Sequence, residues 1–312
     1  DENKLDCWRW MFWAGVVPAL VLLVGMCFVP ETPRWLLSKG RLKECRKVLQ
    51  KIEPENTVND LIGQMEVEIE KDRNSAVGWR YLMQPWLRTP LMIAVCIMFF
   101  QQFVGINTVI YYSPKIFLMA GFESTLSAIW TSVGIGIVNV VFTVISLYLV
   151  DRIGRRKLYF IGLSGIAFSV LCLSACFIYA NQLGEIGRWL MVIFMFGYVA
   201  FFAISIGPLG WLVISEIFPQ KVRGLGTSIG SLAVWIFNCI VSFTFFKIID
   251  FFSIPGTEIV VGQTTSENPA GAFFLYGFIA VLGLVWGYLF LPETKGLSLE
   301  EIEQKWRKNR EC

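Results

Sequence analysis

The stretch with the clearest chemistry is Gln101-Gln102-Phe103-Val104-Gly105-Ile106-Asn107-Thr108-Val109-Ile110-Tyr111-Tyr112-Ser113, which follows the apolar run Leu91 to Phe100. Gln101, Gln102 and Asn107 each carry an amide that donates and accepts hydrogen bonds, and hydrocarbon offers no partner for either function. Gly105 weakens a helix where it falls, and Tyr111 and Tyr112 follow within about two turns. Neutral amides, a glycine and two phenols at membrane depth suit an uncharged, hydroxyl-rich ligand. The competing reading is that the amides only tie helices together. A cluster of this size favours a site, because intramembrane polar groups in a cavity are usually functional.

Such a cluster has meaning only in a membrane, and composition supplies one. Of 312 residues, 55% are hydrophobic and 16% charged, and the mean hydropathy is +0.59. Runs of about 20 apolar residues, the length that crosses a bilayer core, recur along the chain. The net charge of +3 is small. No basic tail with interleaved aromatics is present, so nucleic acid is excluded as a partner. There is no histidine, which removes histidine triads and His-Glu zinc motifs. The eight cysteines form no CxxC pair and lie mostly in apolar runs. They read as small hydrophobes, with no metal and no cofactor expected.

Seven spans are expected, at 10–29, 91–112, 126–150, 158–180, 189–213, 227–249 and 271–291. The Lys and Arg counts before, between and after them run 2, 11, 1, 4, 1, 2, 1 and 5, where the second-last is Lys247 at the end of its own span. High and low alternate at every crossing, which places the amino end outside and the tail in the cytoplasm. Acidic Glu2 and Asp6 argue against a signal peptide. The loop 30–90 carries helical spacing at Leu42, Cys45, Val48, Leu49 and Ile52, then Pro54, then Leu61, Met65 and Ile69. These predict short amphipathic helices at the cytoplasmic surface. The Gly226/Gly230 and Gly283/Gly287 pairs predict close helix packing and nothing more.

Span one ends Pro30-Glu31-Thr32 and span seven ends Pro292-Glu293-Thr294, each followed by a basic residue on the cytoplasmic side. The match predicts a six-span repeat, with five further spans preceding Asp1. On the same side lie Asp151, Arg155, Arg156, Glu216 and Arg223. Basic residues there need no role beyond topology, but Asp151 and Glu216 contribute little to orientation. Together they predict an ion-pair network between helix ends.

These motifs resemble the sugar porter family of the major facilitator superfamily, including facilitative glucose transporters and bacterial xylose–proton symporters. The matching segments are PETPRWL at 30–36, QQFVGIN at 101–107, YYS at 111–113, DRIGRR at 151–156, GPLGW at 207–211, SEIFP at 215–219, VRG at 222–224 and PETKGLS at 292–298. They run in order along essentially the whole chain, from the family's sixth span onward. The fold implied is an all-α major facilitator fold. Residues 1–29 would be the last span of the amino half, 30–90 the central cytoplasmic loop, 91–291 the six-span carboxyl half and 292–312 the cytoplasmic tail.

The resemblance also implies roles. Gln101, Gln102, Asn107, Asn139, Trp211, Trp235 and Asn238 match sugar contacts, Tyr111 and Tyr112 an outer gate, and Asp151, Arg155, Arg156, Glu216 and Arg223 the cytoplasmic network. An amide serves vicinal hydroxyls in both directions, and an indole offers a flat apolar face. Val234, Gly210, Val104 and Ala203 depart from common family residues, which leaves the sugar open. The function implied is monosaccharide transport across the plasma membrane by alternating access, with no enzymatic step. The implied partners are a sugar, protons if coupled, lipid, and an amino-terminal half. A seven-span sugar sensor and an inactive fragment are the alternatives. No acid sits mid-span in this sequence, and the resemblance implies that in proton-coupled relatives the carrier lies in the first span, one of the five expected to precede Asp1.

Overall fold

The computed structural model describes residues 7–73, 82–122, 124–219, 222–253, 259–261, 264–296 and 306. The chain divides into two compact units, Asp1–Ala76 and Val77–Cys312.

In the first unit, α1 (Cys7–Ala14) and α2 (Val16–Phe28) form an apolar helix pair interrupted at Gly15. Pro18 explains the interruption, since it cannot donate to the carbonyl of Ala14 and its ring crowds that group. Every described residue of α2 is exposed, as for a helix that meets lipid. Thr32 caps α3 (Pro33–Ser38), accepting from the Trp35 amide at 3.4 Å, with Pro33 in the first turn. The expected amphipathic helices follow as α4 (Leu42–Leu49) and α5 (Glu55–Arg73). Leu36, Leu37, Cys45, Leu49, Val58 and Ile62 form a small core of their own, with Val48, Met65 and Ile69 against it. Ile52 lies beyond the end of α4 and is exposed. Burial raises the Cys45 thiol above its ordinary range, with Glu66 adding to the effect. Cys45 is therefore expected to react with a thiol reagent at mildly alkaline pH only after denaturation, as read by mass spectrometry. Prompt labelling of the folded chain would contradict this packing.

The second unit holds a 3-10 turn at Pro85–Leu87, then α6 (Arg88–Phe103), α7 (Ile106–Met119), α8 (Thr125–Ile153), α9 (Arg155–Ile178), α10 (Ala180–Ile204), α11 (Ile206–Ile217), α12 (Arg223–Phe251) and α13 (Ala270–Phe290). A short antiparallel hairpin of β1 (Ile259–Val261) and β2 (Thr264–Ser266) joins α12 to α13. At its centre, α9 packs on α10 and α13, while α12 lies against α6 and α8 against α10 and α7. The core is apolar and lined with close contacts. Side chains added at Gly226 and Gly230 would strike Phe218 and Ile214, and at Gly283 and Gly287 they would strike Leu163 and Tyr159. Those two glycine pairs are packing surfaces, as expected.

Among the described residues, six segments are long and apolar enough to cross a membrane, and Phe12–Phe28 is a shorter apolar helix. The seventh expected span is thus present as apolar sequence but falls short as a continuous helix, because Pro18 breaks its hydrogen bonding. The span expected at 189–213 is longer than its hydropathy suggested, running Ala180–Ile217 with a break inside it. The chain is a multi-pass membrane protein, and among the described residues its regular structure is helical apart from the small hairpin.

Candidate functional site

Two helix breaks organise the site. The first separates α6 from α7 at Gly105, whose φ of +87° lies in the left-handed region. A side chain there would also come within 2.4 Å of the Tyr276 ring. The groups freed by the break are satisfied locally. The Tyr198 hydroxyl donates to the Val104 carbonyl at 2.8 Å, and the Thr108 hydroxyl donates to the Gly105 carbonyl at 2.6 Å. Lower in α7, Pro114 cannot donate to the Ile110 carbonyl, which accepts instead from the Ser113 hydroxyl at 3.4 Å.

The second break separates α10 from α11 at Ser205, where φ is −126° and ψ −103°. Pro208 is its cause, since the carbonyl four residues back, Ile204, loses its helical donor. That carbonyl accepts from the Ser146 hydroxyl of α8 at 2.8 Å. Ser205 turns its own hydroxyl back to the Phe201 carbonyl at 2.6 Å.

The amides connect the two breaks. Asn107 Nδ2 donates to Gln102 Oε1 at 2.6 Å, and Gln102 Nε2 donates to Gln101 Oε1 at 3.3 Å. Gln101 Nε2 donates to the carbonyls of Ile206 at 3.0 Å and Gly207 at 2.8 Å. These amides line a cleft of about 310 Å³ that also takes in Asn139, Thr143, Ala203, Pro208 and Trp211. Five of the seven expected sugar contacts, Gln101, Gln102, Asn107, Asn139 and Trp211, thus surround one cavity. Trp235 does not line it and is 66% exposed. Asn238 is buried on the neighbouring face of α12, where its Nδ2 donates to the Tyr111 hydroxyl at 3.4 Å. Val234 is buried in the helix packing.

The two tyrosines are held by one turn of α12. Ser242 donates to Asn238 Oδ1 at 3.0 Å, and the Tyr112 hydroxyl donates to the Ser242 carbonyl at 3.4 Å. The Tyr112 ring stacks on Phe245 and meets Phe246 edge-on, with Lys115 Nζ 3.9 Å from the Phe246 centroid.

At the far ends of the helices, Arg155 bonds Glu216 through Nε at 3.2 Å and Nη2 at 2.9 Å, and pairs with Asp151 at 3.2 Å. The Asp151 side chain is 75% exposed against 21% for Glu216, so the Glu216 pair is the stronger. Arg156 donates to the Tyr288 carbonyl at 2.7 Å. Arg223 Nε and Nη2 are buried with no hydrogen-bond partner among the described residues, so Arg223 does not join the others here.

Sequence reasoning missed the member that closes this cluster. Glu293 accepts from the backbone amides of Arg155 at 3.0 Å and Arg156 at 3.2 Å, capping α9 from the end of α13. Gly154, with φ of +95°, makes room, since a side chain there would meet the Glu293 carboxylate at 2.9 Å. Thr294 donates to Glu216 at 2.5 Å. The signal was available, because an acid at a cytoplasmic helix end does not serve orientation. The Leu297 and Ser298 end of the last motif lies outside the described residues.

A helical bundle with two broken spans joined by a row of amides defines a polytopic membrane protein built around an intramembrane polar cleft. The chain belongs to the Sugar (and other) transporter family, whose family model matches residues 2–306. It is similar to the glucose transporter GlcP of Staphylococcus epidermidis, with 36% identity over 303 residues, covering 97% of this chain and 63% of the relative. It is similar to the D-xylose-proton symporter of Escherichia coli K12, with 34% identity over 301 residues, covering 96% and 57%. Among solved structures, it matches the major facilitator superfamily proton:xylose symporter XylE bound to 6-bromo-6-deoxy-D-glucose, with a TM-score of 0.75 and 34% identity, over 96% of this chain and 59% of that one. The chain therefore spans about three fifths of the length of these relatives.

Proposed function

We propose that the chain forms the carboxyl half of a monosaccharide transporter, together with the last span of its amino half, and that the whole works by alternating access. The observation that carries this reading is the amide cleft. Gln102 and Asn107 offer free donors and acceptors beside the flat indole of Trp211, a combination that fits a hexose or pentose and disfavours a charged or fully apolar solute. Residues 1–29 are the last amino-half span, 30–90 the central loop, 91–291 the six-span carboxyl half and 292–312 a cytoplasmic tail. The amino end lies outside and the protein resides in the plasma membrane, as the alternation of basic residues supports.

The ligand contacts are Gln101, Gln102, Asn107, Asn139 and Trp211, with Trp235 and Asn238 added by family resemblance. Tyr111 and Tyr112 form the outer gate. Asp151, Arg155, Arg156 and Glu216 form the inner network that biases one end state, with Arg223 added by family resemblance alone. An amino-terminal half covers the cleft and carries any proton-coupling acid. The activity is transport and leaves the sugar unchanged.

The test is saturable quenching of tryptophan fluorescence by D-glucose and D-xylose in nanodiscs holding this chain. Wild type is expected to respond, and Trp211→Phe is expected to lose the response. Absence of saturable binding by any aldose would overturn the reading. Uptake above empty-vesicle background by this chain alone would overturn the part assigned to an amino-terminal half.

A further inference from the structure

We propose that Gln101 is the positioning residue that fixes the hydrogen-bond polarity of the cleft, by clamping its amide nitrogen on the first turn of α11. This rests on the sugar-binding reading and goes beyond it, since it says which way round the hydroxyls must be recognised.

The two acceptors of the Gln101 amide nitrogen are backbone carbonyls, those of Ile206 and Gly207. A carbonyl cannot donate, so the nitrogen must face α11 and the oxygen must face away. Turning the amide over would set its oxygen against two carbonyl oxygens and forfeit both bonds. The constraint then propagates. Gln101 Oε1 can only accept, so Gln102 presents its nitrogen to it. Gln102 Oε1 is left to accept, so Asn107 presents its nitrogen in turn. The row ends on Asn107 Oδ1, an acceptor with no partner within the row, beside the second N–H of Gln102 and of Asn107. A sugar hydroxyl at that oxygen must donate.

The clamp has its own accommodation in α11. At Gly210 an added Cβ would lie 2.8 Å from Gln101 Nε2. A side chain there pushes the Gln101 amide off α11 without changing its chemistry. Gly210 is one of the positions where this chain departs from the common family residue. Because the clamp seats on the break at Ser205, any movement of α11 relative to α6 also releases the polarity of the row.

The experiment measures, in nanodiscs holding this chain, the affinity of D-glucose and of each monofluoro-D-glucose. Fluorine replaces a hydroxyl at similar size but cannot donate. Wild type is expected to discriminate by about tenfold or more against fluorine at one ring position, the cost of a buried acceptor left unpaired. Gln101→Leu frees Gln102 and Asn107 to turn over together, so that discrimination is expected to fall to about threefold or less. Gly210→Ala is expected to do the same with Gln101 intact.

If both variants lose affinity for glucose and its fluoro analogues alike, with the ratio unchanged, Gln101 is an ordinary contact and the proposal fails. It fails equally if wild type binds glucose but discriminates at no position. No binding of any aldose by wild type would instead overturn the sugar reading itself, and this inference with it.

Discussion

Gly105→Ala is expected to destabilise the second unit by about 2–5 kcal/mol, the sum of a left-handed backbone imposed on an L side chain and an overpacked core. Both terms have a visible source. The φ of +87° accounts for the first, and the Tyr276 ring 2.4 Å from the added Cβ accounts for the second. Neither can relax cheaply. Tyr276 is buried against Phe273 in α13, and the break itself is pinned by the Tyr198 hydroxyl on the Val104 carbonyl. Thermal unfolding in nanodiscs reads the loss. A double-mutant cycle with Tyr276→Ala separates the terms, because removing the ring abolishes the steric part and leaves the backbone part. Fully additive losses would show that Gly105 is needed for its backbone conformation alone.

The second large effect falls at the inner ends of the helices and is an ordering. Glu216→Ala is expected to cost the most, about 3 kcal/mol, the lower end of what breaking a buried pair costs. It leaves the Arg155 guanidinium, only 12% exposed, without its main partner. Glu293→Ala removes the acceptor for the first two amides of α9 and is expected to cost about 1–2 kcal/mol, as losing a helix cap does. Asp151→Ala is expected to cost less than about 1 kcal/mol, because its carboxylate is solvated. Unfolding of the three variants under one condition checks the order. A loss at Asp151 equal to that at Glu216 would refute the account of which pair holds the helices together.

These expectations show what the sequence carried and what it did not. The spans were legible because hydropathy and the alternation of basic residues are one-dimensional signals. The break at Gly105 was legible too, as a glycine among amides. The break at Ser205 was not, although Pro208 is its cause, because a proline near a span end reads equally well as a cap. Its relief by Ser146, 58 residues away, exists only in three dimensions. The amide row was legible as a polar cluster, but its direction was not. Gln101, Gln102 and Asn107 have symmetric donor and acceptor capacity until two carbonyls of another helix remove the choice. Asn238 is a cleft residue by family resemblance, and the structure turns it to Tyr111. Glu293 reads in the sequence only as part of the repeated Pro-Glu-Thr motif, and its use as a cap on α9 depends on chain ends that only the fold brings together.

The most direct measurement is the affinity of D-glucose and D-xylose for the chain with Gln102→Ala and, separately, Asn107→Ala. These residues carry the free donors and acceptors of the cleft. Affinity is expected to fall about tenfold or more in each, as buried hydrogen bonds to the ligand are lost, with the unfolding temperature close to that of wild type. Unchanged affinity in both variants would contradict the account, and the amides would then be scaffolding between helices.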